Sequence, residues 1–361
     1  MRIIKVSDKA VGEMLGKSIY SSSCKLLLSK NTVLKDNHIK SLDKNNINYI
    51  YIDDDMSHDI ELETYVDESL VMEAVSSLKE IFNDTGFING HKSASSMIPM
   101  DDYNHVEKIV QSMVREVYSN PKMLYNMIEL MGTDMYTYTH SVNVAVLSIL
   151  TAKSLGLDKK TVEKIGIGAL LHDIGKSRID NELINKPGKY STDEYETMKE
   201  HSKHGYDMVR SDTVISPITK QIIYFHHERL DGSGYPEGLQ GNQIPVYVRL
   251  VTICDMFDAM ISDRSYRTKM SVYEALEVLN AESVYNIDPS ILSSFIENIA
   301  VYTVGSSVQL TDGRVGIVVK NNKAYPTRPV VRIVDLETKK PIEEVDLMTN
   351  LTSFIDGEYE I

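Results

Sequence analysis

The chain has 361 residues, of which 42% are apolar and 25% are charged, a balance typical of globular proteins. This length suits two or three domains with substantial cores, and it excludes a miniprotein, a fibrous repeat and a largely disordered chain. The formal net charge of −14 disfavours a broad cationic surface for DNA or RNA polymers, so a phosphate ligand must be held by local cations.

Cysteine usage and hydropathy predict a cytoplasmic protein. Cys24 and Cys254 lie far apart and in no CxxC pattern, so neither a disulfide framework nor a thiolate zinc site is expected. Residues 1–9 alternate charged and apolar residues and lack the continuous apolar run of a signal peptide. The uncharged stretch 135–152 contains His140 and several hydroxyls, a poor composition for a lipid-facing helix. We therefore expect no membrane partner.

Residues 1–60 consist of short apolar runs separated by turns and predict a small α+β module. Isoleucine and tyrosine fill positions 47–52, interrupted only by Asn48, which indicates a β-strand. From Asp53 to Glu73 there are nine acids and no Lys or Arg. Such a run is typical of a solvated linker that leads into a helix.

Two amphipathic helices are predicted in residues 61–120, which we assign to a linker region. Apolar residues recur at helical spacing from Leu70 to Ile81 and again from Val106 to Val117. A stretch rich in Gly and Ser separates them and indicates a loop. The apolar faces suit packing on the next domain or on a second copy of the chain, and periodicity does not choose between these.

Helical patterns dominate residues 121–300 and predict an all-α core. One helix is expected from the capping residue Thr133 to Gly156. The next is expected to start at Asp158 and to run towards Gly175.

Residues 301–361 change to an alternating pattern of apolar and polar residues and predict a small β domain. Val308 and Leu310 precede Asp312-Gly313, and a second alternating run follows. An Asp-Gly pair between such runs predicts a hairpin with a type I′ turn. Residues 330–334 add a further strand.

Histidines are concentrated in the helical region. The chain has ten, and those between residues 140 and 227 are His140, His172, His201, His204, His226 and His227. With Asp173 and Asp255 they offer imidazoles and carboxylates without thiolates, which suits Fe, Mn, Ni or Zn in a catalytic site. A single such histidine is more often a core or surface residue, so the prediction depends on the joint pattern.

The adjacent His172 and Asp173 suggest a shared centre. Neighbours on a helix point about 100° apart, so both converge only where the helix ends, and Gly175 is the expected end. Asp173 has two oxygens and could bridge two metals. Two ions roughly 3.5 to 4 Å apart would share a hydroxide, lower its pKa and stabilise in-line displacement at phosphorus. Phosphoester hydrolysis is the chemistry that such a site favours.

Five motifs together resemble a known family. In chain order they are YTHSVNV around His140, HDIGK from His172, KEHSKHG around His201, HHERLDGSGYP from His226 and ICDMFDAM around Asp255. In this order and spacing they resemble the HD superfamily of metal-dependent phosphohydrolases, specifically its HD-GYP branch, over about residues 121–300. The resemblance implies a multidomain α+β protein, with an all-α HD-type catalytic core between a small N-terminal α+β module and a small C-terminal β domain.

The resemblance also implies a binuclear centre of divalent ions, Fe or Mn first and Zn or Ni as alternatives, with Asp173 bridging them. The implied ligands are His140, His172, Asp173, His201, His226, His227 and Asp255. His204 is left out, because the family ligand is followed four residues later by Gly, which fits His201 and Gly205. Members with a third metal carry a Glu one turn before the first His, where this chain has Tyr136. Two ions are therefore expected.

Catalytic and substrate-binding residues follow in the same way. Asp173 and Lys176 are the expected catalytic residues, since Lys176 lies close enough in sequence to reach a phosphate oxygen held by the metals. A lysine near a helix C-terminus also has a purely structural explanation. Two Gly and a Pro in 230–236 let the backbone approach a ligand, and Tyr235 offers a ring to a base. The family uses the positions of Arg264 and Arg267 to hold the phosphates of a cyclic dinucleotide.

The implied function is hydrolysis of bis-(3′,5′)-cyclic di-GMP to linear pGpG and, by a second cleavage, to GMP, in bacterial second-messenger signalling. Two rival functions stay open at this point. One is a phosphohydrolase for another cyclic dinucleotide or a nucleotide. The other is a receptor that binds cyclic di-GMP without turnover. A second copy of the chain or a GGDEF-type signalling protein is the expected protein partner.

Overall fold

The computed structural model describes residues 1–21, 25–45, 47–62, 66–85, 87–88, 91–92, 97–119, 125, 136–262, 270–323 and 325–361. The chain divides into two compact units. The terminal unit comprises Met1–Thr64, Lys122–Met135 and Glu297–Ile361, and the helical unit comprises Tyr65–Pro121 and Tyr136–Ile296. The boundaries of these units differ from those of the four segments predicted from the sequence. The boundaries of the four segments stay predictions.

The N-terminal part of the terminal unit combines short strands with one helix. Its elements are β1 (Arg2–Lys5), β2 (Met14–Leu15), β3 (Ile19–Tyr20), β4 (Leu26–Leu28), α1 (Asp36–Lys44) and β5 (Tyr49–Asp53). Strand β5 pairs with β1 and β2 in an antiparallel sheet, and β3 pairs with β4. The predicted strand at 47–52 is thereby confirmed as β5.

Alternating side chains along β5 give this strand one buried face. Ile50 and Ile52 are buried, whereas the tyrosines beside them are more exposed. The buried face joins a core that includes Leu15 and Leu34. Helix α1 covers this core with Ile39 and Leu42, which lie three residues apart on one helix face.

Helices are the main elements of the helical unit in the part of the chain that the structure describes. They are α2 (Glu68–Thr85), α3 (Met100–Ser119), α4 (Tyr136–Ser154), α5 (Lys159–Leu170), α6 (Asn181–Ile184), α7 (Thr192–Val209), α8 (Pro217–Phe225), α9 (Val246–Ile261), α10 (Val272–Glu282) and α11 (Pro289–Ile296). The short strands β6 (Phe87–Ile88) and β7 (His91–Lys92) pair between α2 and α3. Helix α4 packs on α5 and α9, and α8 packs on α5 and α7. Within the described ranges, none of the helices combines the length and the hydropathy of a membrane-spanning segment.

The two predicted amphipathic helices are confirmed as α2 and α3. Leu78 and Ile81 of α2 are fully buried, as are Val110 and Val117 of α3. The two helices pack on each other and on α4 and α5. The apolar faces of α2 and α3 therefore pack within the helical unit of the same chain, which is one of the two alternatives that periodicity left open.

The ends of α4 and α5 follow local signals only in part. Gly156, with φ of +73°, comes after the end of α4, and the Asp158 carboxylate accepts hydrogen bonds from two backbone N–H groups at the start of α5. The predicted start at Thr133 lies outside the described residues. The extension of the second helix towards Gly175 is wrong, because α5 ends at Leu170 and a turn and a 3-10 helix (Ile174–Arg178) follow.

A five-stranded antiparallel sheet forms the C-terminal part of the terminal unit. Its strands are β8 (Ser307–Leu310), β9 (Val315–Lys320), β10 (Val330–Asp335), β11 (Lys340–Asp346) and β12 (Ile355–Glu358), in the order β11-β10-β9-β8-β12. Buried residues that include Val308, Leu310 and Val318 fill one face. A helical core accompanied by N-terminal strands and a C-terminal sheet is thus confirmed.

The β8–β9 hairpin is confirmed, but its predicted turn type is wrong. A type I′ turn needs positive φ at both central residues, and of Asp312 and Gly313 only the glycine has it, at +85°. The Gly313 N–H donates to the Leu310 carbonyl, and the Leu310 N–H donates to the Arg314 carbonyl. This is a type I turn followed by a left-handed glycine. The Asp312 carboxylate accepts from the Arg314 N–H, which favours this geometry.

Arginine–carboxylate pairs stabilise the terminal unit, and the pair of Arg332 with Asp59 joins its N-terminal and C-terminal parts. Arg332 on β10 donates to Asp59 at 2.7 Å and to Glu344 at 2.7 Å. Its side chain is only 10% exposed, whereas both acids are about half exposed. Arg2 on β1 donates to Asp54 at 2.7 Å. Each of these guanidinium groups therefore has a carboxylate partner.

Candidate metal centre

All seven predicted ligands lie together in the helical unit. His140 lies on α4, His172 and Asp173 in the turn after α5, His201 on α7, His226 and His227 directly after α8, and Asp255 on α9. Their ligand atoms form two groups, and within each group all atoms lie within 4.8 Å of one another. The first group is Asp173, His201, His226 and His227, and the second is His140, His172 and Asp255.

The two carboxylate oxygens of Asp173 face different groups. Oδ1 lies 3.4 Å from His201 Nε2 and 3.9 Å from His226 Nε2. Oδ2 lies 3.4 Å from His172 Nε2 and 3.9 Å from His140 Nε2. Oδ1 is buried and has no hydrogen-bond partner among the described residues. A buried, ionised oxygen without a donor is costly unless a cation meets it, so this atom fits a divalent ion.

Backbone carbonyls fix the tautomers of three histidines. The Nδ1–H groups of His172, His201 and His226 donate to carbonyls of the preceding helical turn, at 2.6, 2.7 and 3.0 Å. Their Nε2 atoms therefore present lone pairs in the neutral form. His201 Nε2 and His226 Nε2 lie only 3.2 Å apart, so two lone pairs face each other. An ion between them would convert this repulsion into coordination.

The protonation states of His201, His227 and Asp173 also favour the binding of a cation. Burial lowers the pKa of His201 to about 4, because the imidazolium is poorly solvated there, and the pKa of the more exposed His227 is shifted in the same direction. Burial would raise the pKa of Asp173, but Lys176 and His172 outweigh it and hold that pKa well below its ordinary value. His201 and His227 are thus neutral beside an ionised carboxylate, and this donor set suits a divalent metal ion.

Asp258 was missed by the sequence reasoning. This fully buried residue of α9 lies three positions after Asp255, and its carboxylate accepts from His140 Nδ1–H at 2.7 Å and from the Asn143 amide at 2.9 Å. Burial would lower the pKa of His140, but the hydrogen bonds with Asp255 and Asp258 raise it to about 9. A second acid on the apolar helix α9 was the available signal, since a buried carboxylate needs a partner.

Close backbone packing sets the spacing between the His172–Asp173 turn and α7. A Cβ built on Gly175 would lie 1.9 Å from the His201 carbonyl oxygen and 2.4 Å from the Gly205 nitrogen. Only glycine allows this approach. Gly175 therefore does not end α5, as expected from the sequence, but lets the 3-10 helix lie directly against α7.

Lys176 and Tyr235 lie at the more exposed side of the centre. Lys176 Nζ donates to Asp173 Oδ2, and its side chain is 24% exposed. The Tyr235 ring packs against His227, with 4.6 Å between ring centroids. His227 is 27% exposed, whereas the other four imidazoles are at most 2% exposed. His227, Lys176 and Tyr235 thus mark the mouth of the site.

Glu228 is a second residue that the sequence reasoning missed, and it holds the loop that carries Tyr235. Its side chain is nearly fully buried, and its carboxylate accepts from three consecutive backbone N–H groups, those of Glu237, Gly238 and Leu239, at 2.7, 3.2 and 2.9 Å. Gly234 lies so close to the backbone beside Glu228 that a Cβ built on it would be 2.4 Å from the Arg229 nitrogen. The acid directly after the His pair was the available signal.

The remaining predicted residues have different outcomes. Arg264 and Arg267 lie outside the described residues, and so does the side chain of Tyr136. His204 is half-buried on α7 and belongs to neither ligand group, consistent with its exclusion.

Comparison with known proteins agrees with this geometry. Residues 122–291 match the family model of the HD domain. A cyclic di-GMP phosphodiesterase of Pseudomonas aeruginosa is 34% identical over 249 residues, which cover 68% of this chain and 60% of the relative. Residues 122–291 belong to the HD domain family. The HD-GYP resemblance read from its motifs is confirmed, and an HD domain implies dependence on divalent metals.

Other relatives extend the comparison of this HD protein. A 3′3′-cGAMP-specific phosphodiesterase of Vibrio cholerae is 34% identical over 193 residues, which cover 52% of this chain and 43% of the relative. The chain thus spans about half the length of the curated relatives it matches. Residues 307–360, the C-terminal sheet, match a KOW domain associated with HD domains.

A solved structure confirms the fold. An HDG"Y"P protein of Bdellovibrio bacteriovorus matches 81% of this chain and 98% of its own chain, with a TM-score of 0.53. Its sequence identity is 19%, so the likeness concerns the fold alone.

Proposed function

We propose that the helical unit hydrolyses cyclic di-GMP in a metal-dependent reaction, giving pGpG and, by a second cleavage, GMP. The observation that carries the proposal is the Asp173 carboxylate, buried between two groups of imidazoles with one oxygen towards each. The substrate is inferred from the Pseudomonas aeruginosa relative, which is named for cyclic di-GMP.

We assign two divalent ions to the centre, Fe or Mn first; the two ligand groups would hold them, and one oxygen of Asp173 faces each group. When bound, such ions activate water and offset the negative charge that develops on a phosphodiester. The chain's own groups orient this arrangement. The backbone carbonyls and Asp258 hold the histidines with Nε2 inward, and Asp173 stays ionised.

Lys176 and Tyr235 are assigned to substrate binding at the mouth. The Lys176 ammonium, already directed at Asp173, is placed to neutralise a phosphate oxygen or to donate a proton to the leaving oxygen. Tyr235 covers His227 and limits the access of water to it. Arg264 and Arg267 are assigned to phosphate binding by the family resemblance alone.

A second candidate substrate is 3′3′-cGAMP, since the Vibrio cholerae relative is named for it. The metal centre would contact only the phosphodiester, so the choice of base depends on the pocket around it. We therefore expect activity on one of these cyclic dinucleotides to exceed the other. A receptor without turnover would bind them and release them intact.

The test is a product assay with purified protein reconstituted anaerobically with Fe or Mn. Wild type should convert cyclic di-GMP to pGpG or GMP, as measured by chromatography, and a chelator should stop the reaction. Asp173→Asn should lower turnover by about 1000-fold or more, because the ions supply several kcal/mol of barrier lowering. Asp193→Asn on the exposed start of α7 is the matched control and should behave as wild type.

Equal turnover in wild type and Asp173→Asn would refute the proposal. Faster conversion of 3′3′-cGAMP would reassign the substrate. Recovery of unaltered cyclic di-GMP after long incubation with every metal would favour the receptor. Homodimerisation, a GGDEF-type partner and the cytoplasmic location stay predictions.

A further inference from the structure

A lysine and two tyrosines form a cluster beside the mouth of the metal centre. Lys199 Nζ on α7 lies 5.3 Å from the centroid of the Tyr195 ring and 5.8 Å from that of the Tyr235 ring. We call these three residues the α7 cluster. An ammonium held over aromatic rings is favourable, but it keeps its charge and its capacity to donate hydrogen bonds.

A single aromatic ring separates Lys199 from the candidate ligands. The Tyr235 ring contacts His227 at 4.6 Å between centroids, with an interplanar angle of 32°. The distance from Lys199 Nζ to the centroid of the His227 ring is therefore at most the sum of the Lys199–Tyr235 and Tyr235–His227 distances. Since His227 is the most exposed imidazole of the centre, the α7 cluster lies on the side from which a substrate enters.

Lys199 is free to exchange its present partner for a stronger one. Its ammonium donates to Glu196 at 2.6 Å, one helical turn earlier, and the Glu196 side chain is 62% exposed. A pair of this kind contributes little, because the Glu196 carboxylate is well solvated. A phosphate accepts stronger, charge-assisted hydrogen bonds. The four-carbon stem of lysine allows the ammonium to follow such an acceptor.

Lys176 cannot serve the whole of a cyclic dinucleotide. Such a ligand carries two phosphodiester groups, and only one can lie at the centre while it is cleaved. Lys176 is held at Asp173 inside the mouth. The other phosphate then lies away from the centre. Lys199, which is 26% exposed, offers it a cation in addition to the arginines that the family resemblance assigns to phosphate binding.

Given the proposed function, we propose that Lys199, supported by the rings of Tyr195 and Tyr235, binds the phosphate of a cyclic dinucleotide that is not being cleaved. The α7 cluster then selects substrates with two phosphates over simple phosphodiesters. A purely structural role in stabilising α7 would affect all substrates alike.

The test compares two substrates in metal-loaded enzyme. Lys199→Gln should raise KM for cyclic di-GMP by about tenfold with little change in kcat, because one charge-assisted hydrogen bond is lost. The same variant should change KM for bis(p-nitrophenyl) phosphate, which has one phosphate, by less than about twofold. Lys199→Arg should restore most of the affinity. Lys203→Gln, at an exposed lysine one turn further along α7, is the matched control.

Equal KM changes for the two substrates, or a Lys199→Gln enzyme that matches the Lys203→Gln control, would overturn the assignment. Equilibrium binding of cyclic di-GMP separates this inference from the proposed function. If wild type binds the dinucleotide without hydrolysing it, the proposed function fails, and Lys199→Gln must still weaken binding for the α7 cluster to stand. Absence of binding by wild type would overturn both.

Discussion

The terminal and helical units each contain a cluster of charged groups, but the clusters differ in how fully those groups are satisfied. In the terminal unit, Arg332 lies between two carboxylates and every partner is a hydrogen-bonding group of the chain itself. In the helical unit, Asp173 Oδ1 has no hydrogen bond from the described residues, and the lone pairs of two imidazoles face each other. The first arrangement holds the chain together, whereas the second is complete only with a ligand.

The energetic cost of burying charge also differs between the two clusters. Arg332 meets acids that are half exposed, so solvation keeps both the cost and the benefit of the pairs small. The carboxylate of Asp173 is 2% exposed, and a buried charge without a full set of partners destabilises a fold by several kcal/mol. The helical unit accepts this cost at the centre where metals are proposed to bind.

Metal content should show the largest effect. Wild type is expected to hold two ions per chain, and Asp173→Asn should hold at most one, because the neutral amide loses the charge that faces both groups. Elemental analysis after dialysis measures this directly. A third ion in wild type would contradict the expectation drawn from Tyr136, and two firmly bound ions in Asp173→Asn would remove the bridging role.

Asp258→Asn should have the next largest effect. Partners that orient a metal-binding histidine typically contribute 10- to 100-fold to affinity, so we expect metal affinity to fall by about that factor. Competition with a chelator of known affinity gives the measurement. Ser262→Ala removes only a 3.2 Å hydrogen bond to Asp258 and is the control. Equal affinities in wild type and Asp258→Asn would mean that His140 needs no orientation.

Glu228→Gln tests the loop that carries Tyr235. An amide accepts fewer hydrogen bonds than a carboxylate and brings its own donors against the three backbone N–H groups. We expect KM for cyclic di-GMP to rise by about tenfold while the bound metal content stays at two ions. Glu237→Gln, at an exposed residue of the same loop, is the control. A parallel loss of metal would assign Glu228 to the fold of the centre instead.

Arg332→Met should produce the smallest effect, in the terminal unit only. The free energy of unfolding should fall by about 1 kcal/mol, and kcat should match wild type. The hydrogen bond with Arg332 lowers the pKa of Asp59 from 3.8 to about 2. A lowered pKa means that this contribution is present above pH 4 and is lost as the pH falls towards 2.

Urea unfolding at a series of pH values measures that contribution. The difference between wild type and Arg332→Met should shrink between pH 4 and pH 2, in the range set by the shifted pKa of Asp59. A difference that grows with acidification would contradict the sign of the linkage.

The sequence predicted the candidate ligands better than the contacts that orient them. His172-Asp173 and His226-His227 could be recognised because their residue types and spacing are local properties of the chain. Asp258 and Glu228 could not be assigned, since their roles depend on partners brought in by the fold: a histidine 118 positions away for Asp258 and the backbone of the following loop for Glu228. Asp258 could be recognised from the sequence as an acid on an apolar helix, but its partner His140 could not.

Local signals also failed where packing decided the geometry. Gly175 indicated a helix end, yet α5 stops at Leu170, and the glycine is required by the approach of α7. At Asp312 the carboxylate bonds to Arg314, and the chain adopts a type I turn in place of type I′. Helix periodicity identified α2 and α3 correctly, but only the three-dimensional arrangement showed what their apolar faces cover.

The missing side chain at Gly175 has a consequence for how the centre tolerates change. Main-chain atoms, rather than packed side chains, fix how far His201 lies from the HD pair. The separation of α7 from the His172–Asp173 turn therefore depends on the absence of a side chain at position 175. A methyl group at position 175 would push the two backbones apart and increase the distance between His201 and the His172–Asp173 pair, because the close packing leaves no room for it.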